Sequence, residues 1–240
     1  MNKTKYLIIG NSAGAIGGVT GIRREDTDGS ITIISAEKHH TYSRPLISYW
    51  LEGKVSQEKM IYRDEDFYEK NACEVILGTK AERIDVQKKQ VYLAGGGSVT
   101  YEKLLVATGS VPFVPPIKGR ETAKNTFTFT TMDDAAGVGE ILDKNSKVVI
   151  LGAGLIGLKA AEAVVGQCAG VTVVDLADRV LPSVLDTESA EIIEAHLTSQ
   201  GMVLKLETSI TEIGDMEVTL SDGELLPYDI LILAVGTRPE

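Results

Sequence analysis

The sequence predicts an α/β fold built twice: two parallel sheets flanked by helices, each carrying a small antiparallel β meander. Three observations predict it. Short continuous apolar runs recur along the chain and end on glycines, as expected for parallel strands buried on both faces. Segments of helical period separate those runs. Third, the order strand, glycine turn, helix, strand, acidic residue occurs twice, with Gly10 corresponding to Gly152 and Glu37 to Asp175.

At 240 residues the chain suits one large or two modest domains. Pro112, Pro115 and Pro116 place a boundary near residue 111. The expected domains are therefore 1–111 and 112–240. With 43% hydrophobic and 24% charged residues the composition is that of an ordinary globular protein. A net charge of −10, with no basic run, argues against a nucleic-acid partner. No apolar stretch is long enough to span a bilayer, and Lys3 and Lys5 lead into a strand rather than a leader peptide. Cys73 and Cys168 form no C-x-x-C, and His39 and His40 have no ligand cluster beside them, so neither a disulfide nor a metal is expected. These features describe a soluble, cytoplasmic protein without a membrane partner.

Residues 147–157 are the clearest stretch. The apolar run Lys147 to Leu151 ends on Gly152-Ala153-Gly154-Leu155-Ile156-Gly157, and Leu158 to Val165 read as a helix. Val171 to Val174 make the next strand, which ends on Asp175, about twenty residues beyond the turn as a dinucleotide site requires. Gly152 allows the tight turn, Gly154 lets backbone approach a pyrophosphate, and Gly157 lets helix and strand pack. Asp175 can accept from a ribose 2′-hydroxyl. The helix N-terminus supplies free N–H groups and partial positive charge to phosphates.

The first copy is looser. Tyr6 to Ile9 run into Gly10-Asn11-Ser12-Ala13-Gly14-Ala15, a helix to about Arg24, a strand at Ile31 to Ile34, then Glu37. Ser12 and Ala15 hold the second and third glycine positions, where small residues still permit close approach. Residues 39–53, rich in aromatic and polar side chains, read either as a packed surface loop entering a helix or as a loop meeting an aromatic ligand through Arg44, Tyr42, Tyr49 and Trp50. Asp64 to Lys70 suggest a short helix. Glu74 to Leu77, Ala81 to Val86, Gln90 to Leu93 and Ser98 to Thr100 suggest short strands of an antiparallel meander turning at Gly95-Gly96-Gly97. Leu104 to Val106 return to a buried strand ending on Ala107-Thr108-Gly109.

In the second copy Thr131 is positioned to cap a helix. Thr187 to Ser199 are helical, with Ile192, Ile193 and Leu197 on one face. Short strands follow at Val203 to Leu206, Ser209 to Ile213 and Glu217 to Leu220, before Ile230 to Leu233 close the unit on Ala234-Val235-Gly236. A long-period duplication of this kind implies two dinucleotides.

Taken together, these motifs resemble the FAD-dependent pyridine nucleotide (disulfide) oxidoreductases, which have two Rossmann-like dinucleotide-binding domains. Tyr42-Ser43-Arg44-Pro45-Leu46 is similar to the branch of rubredoxin, ferredoxin and nitrite reductases. The resemblance implies FAD at Gly10, Ser12, Gly14 and Ala15, its ribose at Glu37, and Arg44 and Pro45 against the flavin. Ala81, Ala107, Thr108 and Gly109 complete that cofactor set. It assigns NAD(H) to Gly152, Gly154, Ile156, Gly157 and Asp175, with Val235 and Gly236 at the closing strand. NADP is less expected, because Asp175 would repel a 2′-phosphate and Leu176 and Ala177 offer no cation, although Arg179 lies nearby.

The chain departs from the family pattern in several places. No redox cysteine follows Glu37, which disfavours thiolate chemistry. Tyr49 stands where the ferredoxin-reductase branch has a lysine, and Lys159 where a glutamate often follows the second turn. Lys159 reads either as a catalytic-site cation beside nicotinamide or flavin, with Arg44, or as a helix-surface lysine. Family chains return to the first domain after the Gly236 region, so the chain is expected to be C-terminally truncated, with an incomplete FAD domain. The implied function is hydride transfer from NADH to FAD and electron transfer to an acceptor such as an iron–sulfur protein, with a homodimer left open. The alternative is a non-catalytic NAD(H)-binding redox sensor, subunit or fragment without FAD.

Overall fold

A computed structural model describes residues 2–240. The chain begins with β1 (Asn2–Ile9), α1 (Ala13–Glu25), β2 (Ile31–Ile34), α2 (Ile47–Leu51) and α3 (Phe67–Lys70). Next come β3 (Cys73–Ile76), β4 (Ala81–Asp85), β5 (Gln90–Leu93), β6 (Ser98–Val106) and β7 (Ser110–Pro112). The middle holds β8 (Thr126–Phe127), α4 (Met132–Ile141), β9 (Lys147–Leu151), α5 (Leu155–Val164) and β10 (Gly170–Val174). The last part comprises α6 (Thr187–Ser199), β11 (Met202–Lys205), β12 (Ile210–Ile213), β13 (Glu217–Leu220), β14 (Leu225–Pro227), β15 (Ile230–Leu233) and β16 (Thr237–Pro239). Contacts divide these elements into two units. The first is Met1–Ser43, Gln57–Ser110 and Pro239–Glu240, and the second is Arg44–Ser56 and Val111–Arg238.

In the first unit a six-stranded sheet has the order β3-β2-β1-β6-β5-β4. All four residues of β2 are buried, as a strand covered on both faces requires. On one face Ile8, Ile31 and Ile33 pack with Ala15 and Val19 of α1; on the other, Leu7, Ile9 and Ile34 meet Val91, Val99 and Tyr101. Two expectations change here. Residues 73–76 are not part of the meander but pair in parallel with β2 at the edge of the sheet, Ile31 with Cys73 through Ile34 with Ile76. Ser98 to Val106 is one strand, not two, pairing antiparallel with β5 and parallel with β1. The meander of this unit is therefore continuous with the main sheet.

The second unit has a five-stranded parallel sheet, β11-β10-β9-β15-β8, and a separate three-stranded antiparallel sheet, β12-β13-β14. Its core joins the two, with Val149, Leu151, Leu231 and Leu233 packed against Ile210, Val218, Leu220 and the fully buried Tyr228. Thr131 caps α4 through a reciprocal capping box with Asp134. A contiguous split at residue 111 does not describe the contacts, because 44–56 packs with the second unit. Arg44 Nη1 donates to the Thr130 carbonyl and Gln167 Nε2 to the Leu51 carbonyl, each at 3.0 Å, and Ile47 is buried.

In each sheet the chain runs outward on one side of the first strand and returns on its other side, as β2-β1-β6 and β10-β9-β15. The strand order reverses at that point, the switch point beyond whose carboxyl strand ends open α/β sheets bind their ligands. Both glycine turns lie there.

Candidate functional site

The two turns share one steric solution. Gly10 has φ +116°, and a Cβ there would lie 2.1 Å from the Ala107 carbonyl oxygen. Gly152 has φ +118°, and its Cβ would lie 2.4 Å from the Ala234 carbonyl oxygen. Matching hydrogen bonds hold both: Gly10 N–H to Ile34 O and Ala107 N–H to Ile9 O, then Gly152 N–H to Val174 O and Ala234 N–H to Leu151 O, all at 2.8 Å. Residue identity at these positions is set by backbone approach, not by packing. At the third position the copies differ. A Cβ on Gly157 would meet the Gly152 carbonyl oxygen at 1.9 Å, whereas Ala15 accommodates its methyl fully buried.

The helices that follow keep their N-termini open. Ser12 and Gly154 are the N-cap residues of α1 and α5, neither caps with a side chain, and neither first turn contains an acid. The first-turn N–H groups therefore face outward with the positive end of the helix dipole, a setting that favours phosphate. Gly154 has no atom within 4 Å of a built Cβ, and Gly14 meets only the Ala107 Cβ at 3.7 Å. Thr108 and Gly109 continue directly from Ala107, as Val235 and Gly236 do from Ala234, with Gly109 at φ +75° and Gly236 at φ +122°. Within its sheet Ala81 is placed apart from the turn, since β5 and β6 separate β4 from β1.

The two acids are used differently. Glu37 accepts from the Tyr42 hydroxyl at 2.5 Å. Asp175 accepts from Ala153 N–H at 2.6 Å and Ala177 N–H at 2.8 Å, so it braces its own glycine turn. Carboxylates can accept further bonds beyond two, which leaves Asp175 capacity for a ribose hydroxyl.

Residues that sequence reasoning missed gather behind the first turn. The Asn11 side chain donates to the His39 carbonyl at 3.3 Å and accepts from the Tyr68 hydroxyl at 2.7 Å, while Tyr68 oxygen accepts from Thr41 N–H at 3.2 Å. Burial pushes the Tyr68 pKa up, which keeps it a donor. The His40 ring lies 4.7 Å from that of Tyr68. His40 Nε2 and Thr41 Oγ1 are buried without a hydrogen-bond partner, which is costly unless another group supplies one. An asparagine inside the glycine turn was the only signal of this network.

In the second unit, Arg44 and Pro45 lie in the short turn Arg44–Leu46 that enters α2. Lys159 of α5 donates to Glu162 at 2.6 Å and to the Tyr49 hydroxyl at 3.2 Å; the Glu162 bond chiefly raises its pKa. Ile156 lies within the first turn of α5. Burial pushes both thiols, Cys73 and Cys168, above the ordinary cysteine value. Among the described residues no group of His, Cys, Asp and Glu could hold a metal, and no helix is long and apolar enough to cross a membrane.

Comparisons with known proteins agree with this geometry. The model of the pyridine nucleotide-disulphide oxidoreductases matches residues 4–240. The NADH-dependent phenylglyoxylate dehydrogenase subunit epsilon of Aromatoleum evansii is 34% identical over 244 residues, covering 99% of this chain and 57% of that protein. Rubredoxin-NAD(+) reductase of Pseudomonas putida is 30% identical over 240 residues, covering 98% and 62%. Among solved structures, the covalent putidaredoxin reductase–putidaredoxin complex superposes with a TM-score of 0.91 at 25% identity, covering 100% of this chain and 60% of that one. The chain thus spans about three-fifths of these relatives.

Proposed function

Because the chain belongs to the pyridine nucleotide-disulphide oxidoreductase family, we propose that it takes hydride from NADH onto FAD and passes electrons to a redox protein such as an iron–sulfur protein. The observation that carries this reading is the paired steric demand at Gly10 and Gly152, each pressed against the carbonyl of a closing strand. Two equivalent turns with open helix N-termini fit two phosphate-bearing dinucleotides.

In this reading Gly10, Ser12, Gly14 and Ala15 hold the FAD pyrophosphate, Glu37 its ribose, and Ala107, Thr108 and Gly109 the closing side. Gly152, Gly154, Ile156 and Gly157 hold NADH, with Asp175 on the adenine-side ribose and Val235 and Gly236 opposite. When bound, FAD supplies a centre that accepts a hydride and releases electrons singly. The chain's own work is to bind, orient and exclude water. Arg44 and Lys159 contribute fixed cations, the latter kept protonated by Glu162. With both thiols pushed away from the thiolate by burial, a cysteine-based disulfide route is disfavoured. The relatives named for NADH and for rubredoxin support the donor and the type of acceptor.

The test is spectroscopic. Purified chain should show flavin absorbance that NADH bleaches without oxygen, and reoxidation by a rubredoxin or ferredoxin should restore it. Colourless chain that still binds NADH would instead establish a non-catalytic NAD(H)-binding module, a reading favoured by the more complete glycine set of the second turn.

A further inference from the structure

Four residues beyond Asp175 stands Arg179, the one cation among residues 176–186. On position alone it could meet a 2′-phosphate, but its donors are committed elsewhere. Nε donates to the Leu185 carbonyl at 3.2 Å, Nη2 to the Pro182 carbonyl at 3.4 Å, and Nη1 to the Asp178 carboxylate at 2.8 Å. The loop that Arg179 ties together is itself seated on the second glycine turn. Leu181, at φ +50°, donates its N–H to the Ala153 carbonyl at 2.9 Å. Val180 is fully buried and donates its N–H to the Glu194 carboxylate of α6 at 3.0 Å. The Ala153 N–H in turn is held by Asp175. Both backbone groups of Ala153 are therefore occupied, one by the acid and one by the arginine-tied loop.

We infer that Arg179 is a positioning residue: it staples residues 178–186 onto the glycine turn and so keeps its guanidinium away from a 2′-phosphate, which makes the site selective for NADH. The inference rests on the assignment of NAD(H) to this unit. A phosphate placed beside Asp175 would meet a carboxylate, whereas a ribose hydroxyl would meet an acceptor. A planar guanidinium can serve two carbonyls and a carboxylate at once, which an ammonium on a flexible stem does poorly.

The experiment compares wild-type chain with R179Q, R179K and A177R, titrating NADH and NADPH by fluorescence and following loop cleavage by limited proteolysis. R179Q should weaken both dinucleotides by a similar factor, about 3- to 10-fold, with their ratio nearly unchanged and with new cleavage in 176–186. R179K should not rescue the loop. A177R, which adds a cation outside the staple, should gain about 10-fold in NADPH affinity while the loop stays resistant. Loss of NADPH binding alone in R179Q, with a resistant loop, would make Arg179 a ligand and overturn the inference. Unchanged binding and cleavage in R179Q, or no NADPH gain in A177R, would overturn it as well. Wild-type chain that binds neither dinucleotide sinks the NAD(H) assignment and the selectivity with it, while cleavage in R179Q still reports on the staple.

Discussion

The Lys159 ammonium donates to the Tyr49 hydroxyl at 3.2 Å and sits 4.6 Å from the centroid of the same ring, so one side chain joins α5 to α2 in two ways. Together with Arg44 on Thr130 and Gln167 on Leu51, this pair holds 44–56 within the second unit. Substituting Y49F keeps the ring under the cation and removes only the hydrogen bond. A double-mutant cycle with K159M should give a coupling of about 0.5–1 kcal/mol for that hydrogen bond in urea unfolding, since the pair is partly exposed. K159M alone should admit proteolysis at 44–56. Zero coupling would mean that the contact is incidental.

The glycine turns separate stability from binding. Alanine at Gly152 combines a 2.4 Å clash with φ +118°, and should cost on the order of 3 kcal/mol or prevent folding. Alanine at Gly154 meets nothing within 4 Å and should fold with a near-wild-type urea midpoint. Its methyl would nevertheless stand where backbone must approach a pyrophosphate, so NADH affinity should drop about tenfold. Unchanged affinity in G154A would count against the phosphate site.

Glycines inside α1 offer the opposite outcome. Gly17 and Gly21 have ordinary helical backbone, and a Cβ on either meets nothing within 4 Å. Each substitution to alanine should stabilise by about 0.5–1 kcal/mol, read as a higher urea midpoint without loss of binding.

Acid sensitivity should centre partly on Asp26. Lys5 Nζ at 2.6 Å, with the Gly29 N–H and the Tyr6 hydroxyl, holds its carboxyl well below the ordinary value of 3.8. A depressed carboxyl contributes stability that is present above its unfolded pKa and is lost as pH falls below it. Stability should therefore decline as pH falls below about 4, and D26N should flatten that limb. An unaltered acid limb in D26N would remove Asp26 from the account.

Both cysteines should behave as structural thiols. Burial raises Cys73 and Cys168, so their thiolate fraction at neutral pH lies below that of a free cysteine. Alkylation of native chain at pH 7.5 should run slower than in urea, and C73S with C168S should leave NADH-driven flavin reduction intact. Loss of reduction in either variant would reinstate thiol chemistry.

The second glycine turn was readable directly, because each glycine answers a local steric demand that no side chain meets. The first was readable only through its counterpart, since Ser12 and Ala15 blur the pattern. The strand at Ile31–Ile34 and the one at Ile230–Leu233 declared themselves as short apolar runs, fully buried on both faces. By contrast, the parallel pairing of 73–76 with β2 was not readable, since four residues of strand look alike at either edge. The Asn11–Tyr68–Thr41 network spans 57 residues and leaves no periodic trace.

By itself, then, the sequence determined the duplicated strand–turn–helix frames, their acids and the family they announce. Those depend on local backbone geometry and on short-range hydropathy. Tertiary structure alone decided that 44–56 belongs with the second unit, that Ser98–Val106 is a single strand with partners of opposite direction, and that Arg179 ties a loop. Each of these turns on which distant carbonyl or apolar face a segment reaches, and residue type sets the capacity for such a bond without naming its partner.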